Sequence, residues 1–406
     1  MATMRRNSEK NGHMLEEKQP RTASDPGQKE SPKMVYIVFV SLLIDLLGFT
    51  VILPLLPALL DYYAKKNDDS LYQIMANQVD GFKSFVGIPN IEKYNSVLFG
   101  GIISSLFSFL QFVVSPVLGA ASDVHGRRPL MLASMIGIAI SYCIWAVSHN
   151  FTVFLIARII GGLSKANVNL STAIIADVST VKTRGKGMAL IGVAFSLGFT
   201  FGPMIGAYFS KISTFKAGEF YIAPALFALS LAVLDIVFIY FFMKETLPLE
   251  KRAKSFSSSS RDAFNLISPF ALFQFSAVKN CPDKGSYSRR IPAGSEKKTA
   301  VRGMFILMPA FIIIAFASNQ ILLYIGLALF CFASATVVPC MTTMVSSYGT
   351  VAQKGTVVGI FRSLGGLSRA TGPIVASIVY WSVGSSFCYC IGGVLLLIPT
   401  MLLLKT

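Results

Sequence analysis

The sequence predicts an all-α polytopic membrane protein. Of the 406 residues, 53% are hydrophobic and only 14% are charged, a composition outside the range of soluble globular domains. The apolar residues form runs long enough for a membrane-crossing α-helix, which needs about 20 residues. Polar and basic connections separate these runs. We predict ten spans, near residues 34–60, 95–120, 129–148, 151–177, 187–210, 219–243, 301–318, 321–345, 355–381 and 385–404.

The net charge of +16 follows the connections between spans. Counting Lys and Arg against Asp and Glu gives +2 for residues 1–33, +3 for 178–187 and +7 for 244–302, whereas loops 61–94 and 211–220 together sum to zero. Basic residues in alternate loops are what the positive-inside rule predicts, with both termini on the cytosolic side. The charge therefore indicates topology and argues against a nucleic-acid partner.

The chain divides into four parts. Residues 1–33 are polar and predict a disordered cytosolic tail, and residues 34–243 predict a six-helix transmembrane bundle. Residues 244–300 contain much Ser, Gly and Pro and predict a flexible cytosolic linker. Within it, the apolar stretch 267–278 is too short to span and favours an interfacial helix. Residues 301–406 predict a second bundle of about four helices.

An internal repeat relates the two bundles. Residues 186–210 and 354–381 each begin with Lys-Gly, contain Ser-Leu-Gly near the centre and continue to a Gly-Pro pair. Both copies follow a loop on the same side, so we expect halves related by an axis along the membrane normal. If each half began with six spans, the second half lacks two.

The loop "GAASDVHGRRP", residues 119–129, joins the second and third spans. One interpretation is a hairpin with stop-transfer charges. The other is an interlocking contact, in which Asp123 meets a helix N-terminus or a basic group of the opposite half and holds one conformation closed. The residues alone leave both interpretations open.

The stretch "GFTFGPMIG", residues 198–206, has a glycine at every fourth position. Gly198, Gly202 and Gly206 form a face of small residues along which two helices can approach closely. Pro203 removes a backbone donor and permits a bend. Helix packing alone is the simpler interpretation of this stretch, and a role in transport is the other.

These motifs, in this order, resemble those of the major facilitator superfamily, in its drug:proton antiporter type. Residues 119–129 resemble the family's loop motif, "LIARIIGG" (155–162) its fourth-helix arginine motif, and 198–206 its fifth-helix antiporter motif. "DLLGFTVILPLLP" (45–57) and "KETLP" (244–248) resemble the patterns of the first helix and of the end of the sixth. Within the family the likeness is to tetracycline-transporter-like organic anion transporters.

The resemblance implies a transporter of twelve spans, so this chain would be a shortened form that lacks the hairpin of the seventh and eighth helices. Val124 stands where the family has a basic residue, which weakens one gating contact. The implied membrane is the inner nuclear membrane, another internal membrane or the plasma membrane. The implied gating and motif residues are Gly119, Asp123, Gly126, Arg127, Arg128, Gly198, Gly202, Pro203 and Gly206.

Ionisable side chains within the predicted spans indicate a hydrated pathway. A charge at mid-membrane costs roughly 2.5 to 3.5 kcal/mol, so such residues usually face a cavity or a partner. Arg158, Gly162, Lys165 and Asn169 would lie along one stripe of the fourth helix. The predicted substrate and proton pathway contains Asp45, Arg158, Lys165, Asn169, Arg362 and Arg369.

The roles within this pathway follow from charge. Cations outnumber acids in the spans, which favours an anionic substrate held by guanidinium groups. Asp45 either carries a proton or forms a permanent salt bridge with Arg158 or Lys165. By family resemblance, Arg158 takes the coupling role and Asp45 faces the central cavity. Asp177, near the end of the fourth span, is expected to be solvated.

The leading hypothesis is a secondary active transporter of amphipathic organic anions or drug-like molecules, coupled to protons and rocking around a midplane site. The alternative is a transport-inactive or regulatory shortened form. An enzyme is disfavoured, because the sequence has no catalytic triad, metal-ligand spacing or phosphate-binding motif. We expect no cofactor and no metal. A homo-oligomer formed through the exposed flank of the second half would restore the wall of the cavity.

Overall fold

The structure is a computed structural model that describes residues 31–66, 69–88, 92–180, 183–213, 221–253, 295–346 and 354–405. Within those ranges the regular structure is helical and contains no strand. Most of the predicted tail and linker, and the predicted interfacial helix at 267–278, lie outside the described residues. The all-α polytopic class that the composition predicts is confirmed.

The first half contains a hydrophobic bundle with one additional helix outside it. Its helices follow the predicted spans, although several spans consist of two helices. They are α1 (Pro32–Thr50), α2 (Leu56–Lys66), α3 (Ser70–Val86), α4 (Glu92–His125), α5 (Arg127–Ala146), α6 (Phe151–Ser164), α7 (Asn167–Val178), α8 (Arg184–Ser213) and α9 (Ile222–Phe242).

The second half has three long helices, followed by a pair of short ones. They are α10 (Ser295–Ala315), α11 (Gln320–Ser346), α12 (Lys354–Val383), α13 (Ser385–Leu395) and α14 (Leu397–Lys405). A single span contains both α13 and α14.

Nine stretches of the described chain are long and apolar enough to cross a membrane. They correspond to nine of the ten predicted spans. The tenth, near 355–381, is α12, a helix of 30 residues that is not among the nine. Its sequence includes Arg362 and Arg369, which make it less apolar than its neighbours.

The first half packs around one continuous core. Trp145, Tyr63, Phe151 and Phe154 are among its largest fully buried side chains. The second half has no comparable core among the described residues, and a small separate cluster of Phe112 and Ile360 joins it to the first. The first bundle is therefore the scaffold against which the second half is held.

The two halves meet mainly where α12 lies along α4. A Cβ atom on Gly119 would overlap the backbone of Gly355, and one on Gly359 would lie 2.7 Å from the carbonyl oxygen of Ser115. The Ser363 hydroxyl donates to the carbonyl of Phe112 at 2.6 Å. Glycine at these positions lets the two backbones approach closely enough to touch.

Helix α3 lies in the connection that the sequence predicts as a loop, residues 61–94. Asp69 caps it by accepting a hydrogen bond from the Leu71 amide at 3.0 Å. The same carboxylate accepts from the Thr152 amide at 2.8 Å, which joins α3 to the start of α6. The loop prediction was wrong here because an N-cap and a packed face make the helix stable.

Candidate transport pathway

A buried ion pair lies at the centre of the first half. The Lys165 ammonium donates to both carboxylate oxygens of Asp45, at 2.7 and 2.6 Å. The two side chains are 4% and 1% exposed. The ammonium also lies 4.7 Å from the centre of the Phe49 ring. Of the two partners that the sequence allows for Asp45, Lys165 makes the contact and Arg158 does not.

The helix of the fourth span is interrupted at Lys165. Helix α6 ends at Ser164 and α7 begins at Asn167, so the predicted continuous stripe is wrong. Ser134, on α5, makes the break possible, because its hydroxyl donates to the carbonyl of Ser164 and accepts from the Ala166 amide. Backbone groups freed by a break in a membrane helix need such a partner.

Arg158 lies near the ion pair but makes no salt bridge with a described residue. Its guanidinium is 4.7 Å from the centre of the Phe107 ring, a cation–π distance. Arg158 and Lys165 line one small cavity, together with Tyr142, of about 10 Å³. That volume is at the lower limit for a single water molecule.

The two arginines of α12 reach across to the first half. Arg362 donates to the Thr172 hydroxyl of α7 at 3.3 Å, and Arg369 donates to the Gln111 side chain of α4 at 2.9 Å. They are seven residues apart and point to the same partner bundle, as their spacing predicts. The Nε atom of Arg362 is buried and has no hydrogen-bond partner within the described chain.

Asn169 lies on α7, one turn before Thr172, and is 5% exposed. Its side-chain nitrogen has no hydrogen-bond partner among the described residues, and neither polar atom of the Asn167 side chain has one. These amide groups therefore remain available to water or to a ligand, and the place of Asn169 in the pathway stays a prediction.

The two halves are joined by a polar contact at the end of the bundle that carries loop 119–129, which we call the basic end. The Asp123 carboxylate accepts hydrogen bonds from the amides of Gly355 and Thr356 at 2.9 and 2.8 Å, and from the Thr356 hydroxyl at 2.8 Å. These amides belong to the first turn of α12, which begins at Lys354. An acid at a helix N-terminus is favoured by the unpaired amides and by the helix dipole.

A second set of charges surrounds Asp123. Arg127 is fully buried and forms ion pairs with Asp123 at 2.8 Å and with Asp177 at 2.9 Å. Lys354 of α12 lies 3.6 Å from Asp177 and donates to the carbonyl of Ala176 at 2.9 Å. We use the term inner contact for Asp123, Arg127, Asp177 and Lys354 together with the first amides of α12. The prediction that Asp177 is solvated was wrong, because Arg127 and α12 cover it.

The remaining motif residues of this loop hold the start of α5. Gly126 has φ of 104°, which favours glycine. Next to it, Glu245 accepts hydrogen bonds from the amides of Arg127 and Arg128 at 2.9 and 3.2 Å. Arg128 also donates to the carbonyl of Tyr240 at 2.7 Å. The capping role of Glu245 was missed, although an acid in "KETLP" at the end of α9 is a signal for it.

The fifth-span motif packs α8 against α1. A Cβ atom on Gly198 would lie 2.7 Å from that of Leu46, one on Gly202 would overlap Thr50, and one on Gly206 would overlap the backbone of Val51, which directly follows α1. The Thr50 hydroxyl donates to the carbonyl of Gly198 at 2.8 Å. Pro203 lies within this helix and is half-buried. Close helix packing, the simpler interpretation of this motif, therefore accounts for the three glycines.

Metal binding has no support in the described chain, where no three His, Cys, Asp or Glu side chains are grouped closely enough to hold an ion.

Comparison with known proteins agrees with the motifs. The sequence profile of the Major Facilitator Superfamily matches residues 38–291. The mouse major facilitator superfamily domain-containing protein 10 is 42% identical over 446 aligned positions, which cover 95% of each chain. The alignment exceeds the 406 residues of this chain by 40 positions, so the mouse protein contains at least that many positions without a counterpart here.

Two further similarities extend this result. The crystal structure of the human organic anion transporter MFSD10 superposes with a TM-score of 0.85 at 42% identity, covering 92% of this chain and 100% of that one. The class H tetracycline resistance protein of Pasteurella multocida is 26% identical over 239 residues, covering 59% of this chain and 51% of that protein. The likeness to tetracycline-transporter-like proteins that the motifs indicate is confirmed.

Proposed function

Since the chain belongs to the major facilitator superfamily, a family of membrane transporters, we propose that it is a secondary active carrier of amphipathic organic anions, coupled to protons and working by alternating access. The substrate class, the coupling ion and the direction of transport are the parts of this proposal that need experiment. The residues on which it rests are Asp45, Arg158, Lys165, Asn169, Arg362 and Arg369.

One observation carries the choice of an anion. The guanidinium groups of Arg158, Arg362 and Arg369 make no salt bridge with a described carboxylate, and their contacts are an aromatic ring, a hydroxyl and an amide oxygen. The ammonium of Lys165, by contrast, is neutralised by Asp45. Three unneutralised cations in membrane-spanning helices favour a ligand that brings its own negative charge.

The human relative supports the same class, because its structure is described as that of an organic anion transporter. That protein is 42% identical to this chain. The positively charged pathway provides an independent, physical reason for extending the substrate class to this chain.

The proton step is assigned to the Asp45–Lys165 pair. Protonation of Asp45 would remove the charge that holds the Lys165 ammonium and would leave it free to attract the substrate. Lys165 lies at the break between α6 and α7, where the side chain and backbone can change direction more easily than in a continuous helix. The anionic substrate and the deprotonated carboxylate of Asp45 would then compete for the Lys165 ammonium group.

Alternating access is assigned to the inner contact. Asp123 and Asp177 hold α12 against the basic end of the first half, and we take this contact as the closed gate at that end. We place this end, and both termini, on the cytosolic side because the basic loops lie there. Opening toward the cytosol would break the three hydrogen bonds to Asp123 and would rehydrate the carboxylate.

The shortened second half raises the alternative of a transport-inactive form. We interpret the 40 or more positions that this chain lacks relative to the mouse protein as the missing two-helix hairpin, since two spans need about 40 residues. Removal of two spans leaves every later helix in its original orientation. The same transport assay separates a working carrier from an inactive form.

The test uses the purified full chain in liposomes and fluorescein as the anionic probe. We expect protein-dependent uptake of fluorescein, little uptake of the cationic dye rhodamine 6G, and a strong loss of uptake in Arg158→Ala. Arg302→Ala is the matched control, because Arg302 is exposed near the start of α10. Fluorescein uptake equal to that of empty liposomes would contradict the proposal and favour the inactive form.

The coupling ion needs a separate measurement. We expect an imposed pH gradient to drive fluorescein uptake by the wild-type chain but not by Asp45→Asn. If an active wild-type protein transports fluorescein at the same rate with and without the gradient, Asp45 has no coupling role.

A further inference from the structure

A cavity of about 180 Å³ lies at the basic end, away from the transport pathway. It is formed by the start of α1, the end of α7 and the start of α8. Its walls include Val35 and Leu190, which are apolar, and its polar groups include Tyr36, Ser179 and Lys186. An opening with apolar walls and a charged rim at the end of membrane helices fits an amphipathic occupant.

The charge around this cavity is positive. Lys186 is exposed and makes no salt bridge with a described residue, and Lys33, next to Pro32 in the cavity wall, is also exposed. Asp177, one residue before the lining residue Val178, is already in contact with Arg127 and Lys354. The cavity therefore attracts an anion, and each basic residue near a membrane surface contributes about 1 kcal/mol to binding acidic lipids.

The position of the cavity identifies the source of the anion. Tyr36 is 61% exposed on α1, where a tyrosine at a helix end commonly lies at the membrane–water boundary. Gly187 forms part of the wall, and its missing side chain lets α8 pass within contact distance of Val35 and Ile175. Lipid molecules are present at this boundary at high local concentration, whereas a soluble phosphate must come from solution.

We propose that this cavity binds the phosphate headgroup of an acidic phospholipid, with Lys186 on the phosphate, Tyr36 and Ser179 beside it, and an acyl chain along Val35 and Leu190. The lipid contacts α1 and α8 together, the two helices that the glycine motif packs against each other. Its binding stabilises that pair of helices independently of the substrate.

The test measures the thermal unfolding midpoint of the full chain in phosphatidylcholine micelles as phosphatidylserine is added. We expect the midpoint to rise with phosphatidylserine, and Lys186→Gln to need about fivefold more of it for the same rise, the factor that one basic residue provides. Lys186→Arg should keep most of the response. Lys244→Gln is the matched control, because Lys244 is exposed at the same end and lies outside the cavity.

Two results would overturn the proposal. An equal loss of response in Lys244→Gln and Lys186→Gln would mean that general surface charge, not the cavity, attracts the lipid. An equal rise of the midpoint with soluble glycerophosphoserine would mean that the site takes a phosphate without its acyl chains. The proposal is supported if phosphatidylserine raises the midpoint and Lys186→Gln, but not Lys244→Gln, weakens this response.

Discussion

The two halves of the molecule differ in their charges as much as in their size. The first bundle contains Asp45, Asp123 and Asp177, each of which is buried and paired with a base or a helix end. From residue 301 to residue 406 the sequence contains no Asp or Glu, although it contains five Lys or Arg residues. Any acid–base contact between the bundles must therefore take its acid from the first.

Because of this difference, the contacts of α12 with the first half differ between the basic end and the level of Arg362 and Arg369. At the basic end, Asp123 accepts hydrogen bonds from the N-terminus of α12, and Asp177 lies beside the Lys354 ammonium of the same helix. At the middle of the membrane the first half offers Arg362 and Arg369 only neutral groups. The charges of α12 are therefore paired with acids at the basic end, and they meet only neutral groups at the level of the proposed substrate site.

The largest expected effect is at the matched pair in the first half. Replacing Asp45 by Asn leaves the Lys165 ammonium buried without its counter-charge, and breaking a buried pair in this way costs about 3 to 5 kcal/mol. We expect the free energy of unfolding of the purified protein to fall by about that amount in Asp45→Asn.

The double variant Asp45→Asn with Lys165→Met is the control for this prediction. It removes both charges and should recover most of the lost stability. A single variant as stable as the wild-type protein would show that the pair is hydrated and not buried.

The second-largest expected effect concerns Arg362 in the second half, whose charge has no acidic partner among the described residues. Arg362→Ala removes a donor that the substrate would use, and a hydrogen bond to a charged group contributes about 1.5 to 3 kcal/mol. We therefore expect the initial rate of fluorescein uptake to fall by about tenfold or more, with Arg362→Lys between the two because it keeps the charge but not the planar group.

The contrast with the matched charges makes this result informative. If Arg362→Ala transported fluorescein as fast as the wild-type chain, the missing counter-charge at Arg362 would have no role in binding the anion.

A smaller effect is expected at the inner contact. An acid at a helix N-terminus contributes about 0.3 to 2 kcal/mol, so Asp123→Asn should shift the balance of conformations toward the one open at the basic end. The measurement is the rate at which a water-soluble maleimide labels a cysteine placed at Val358, which is 1% exposed in this structure.

We expect Asp123→Asn to speed this labelling by a few-fold, within the range of about 2- to 30-fold that those energies allow. Asp80→Asn, at the opposite end of the bundle, removes an exposed acid and should leave the rate unchanged. Equal labelling rates in the wild-type and Asp123→Asn proteins would show that Asp123 does not hold the basic end closed.

The smallest effect is at the opposite end, where Asp69 caps α3. Partial burial raises the pKa of this carboxyl, but hydrogen bonds from Thr152 and Leu71 outweigh it and hold the pKa below its usual value. Because the folded pKa is lowered, the stabilisation is fully present above the ordinary aspartate value of about 4 and is lost as the pH falls through the folded value.

We expect Asp69→Ala to lower the thermal unfolding midpoint at pH 7 by an amount corresponding to about 1 kcal/mol, the usual cost of replacing an N-cap aspartate by alanine. The difference from wild type should shrink below about pH 4. A difference that stays constant down to pH 3 would mean that the charge of Asp69 contributes nothing.

The sequence predicts elements whose signal is local. Runs of apolar residues, the basic loops and the glycine spacing of residues 198–206 indicate the spans and the helix pair α1–α8. Arg362 and Arg369 share a face because they are seven residues apart, and this too can be read from the chain.

What the sequence does not reveal depends on partners from distant segments. The break before Asn167 depends on the hydroxyl of Ser134, which lies 30 residues earlier on another helix. Asp177 is covered by Arg127 and by Lys354, which are 50 and 177 residues away in sequence. A buried and a solvated acid at the end of a helix have the same local sequence, so only the packing of α12 distinguishes them.

The start of the linker is bound to the inner contact by Glu245, which caps α5, and by the Ala253 amide, which donates to the carbonyl of Asp123 at 3.0 Å. The linker is therefore held against the first bundle as far as residue 253. Two separately expressed polypeptides, divided after that point, should reassemble into the same carrier, whereas a division before Glu245 would detach the cap of α5 from the fragment that needs it.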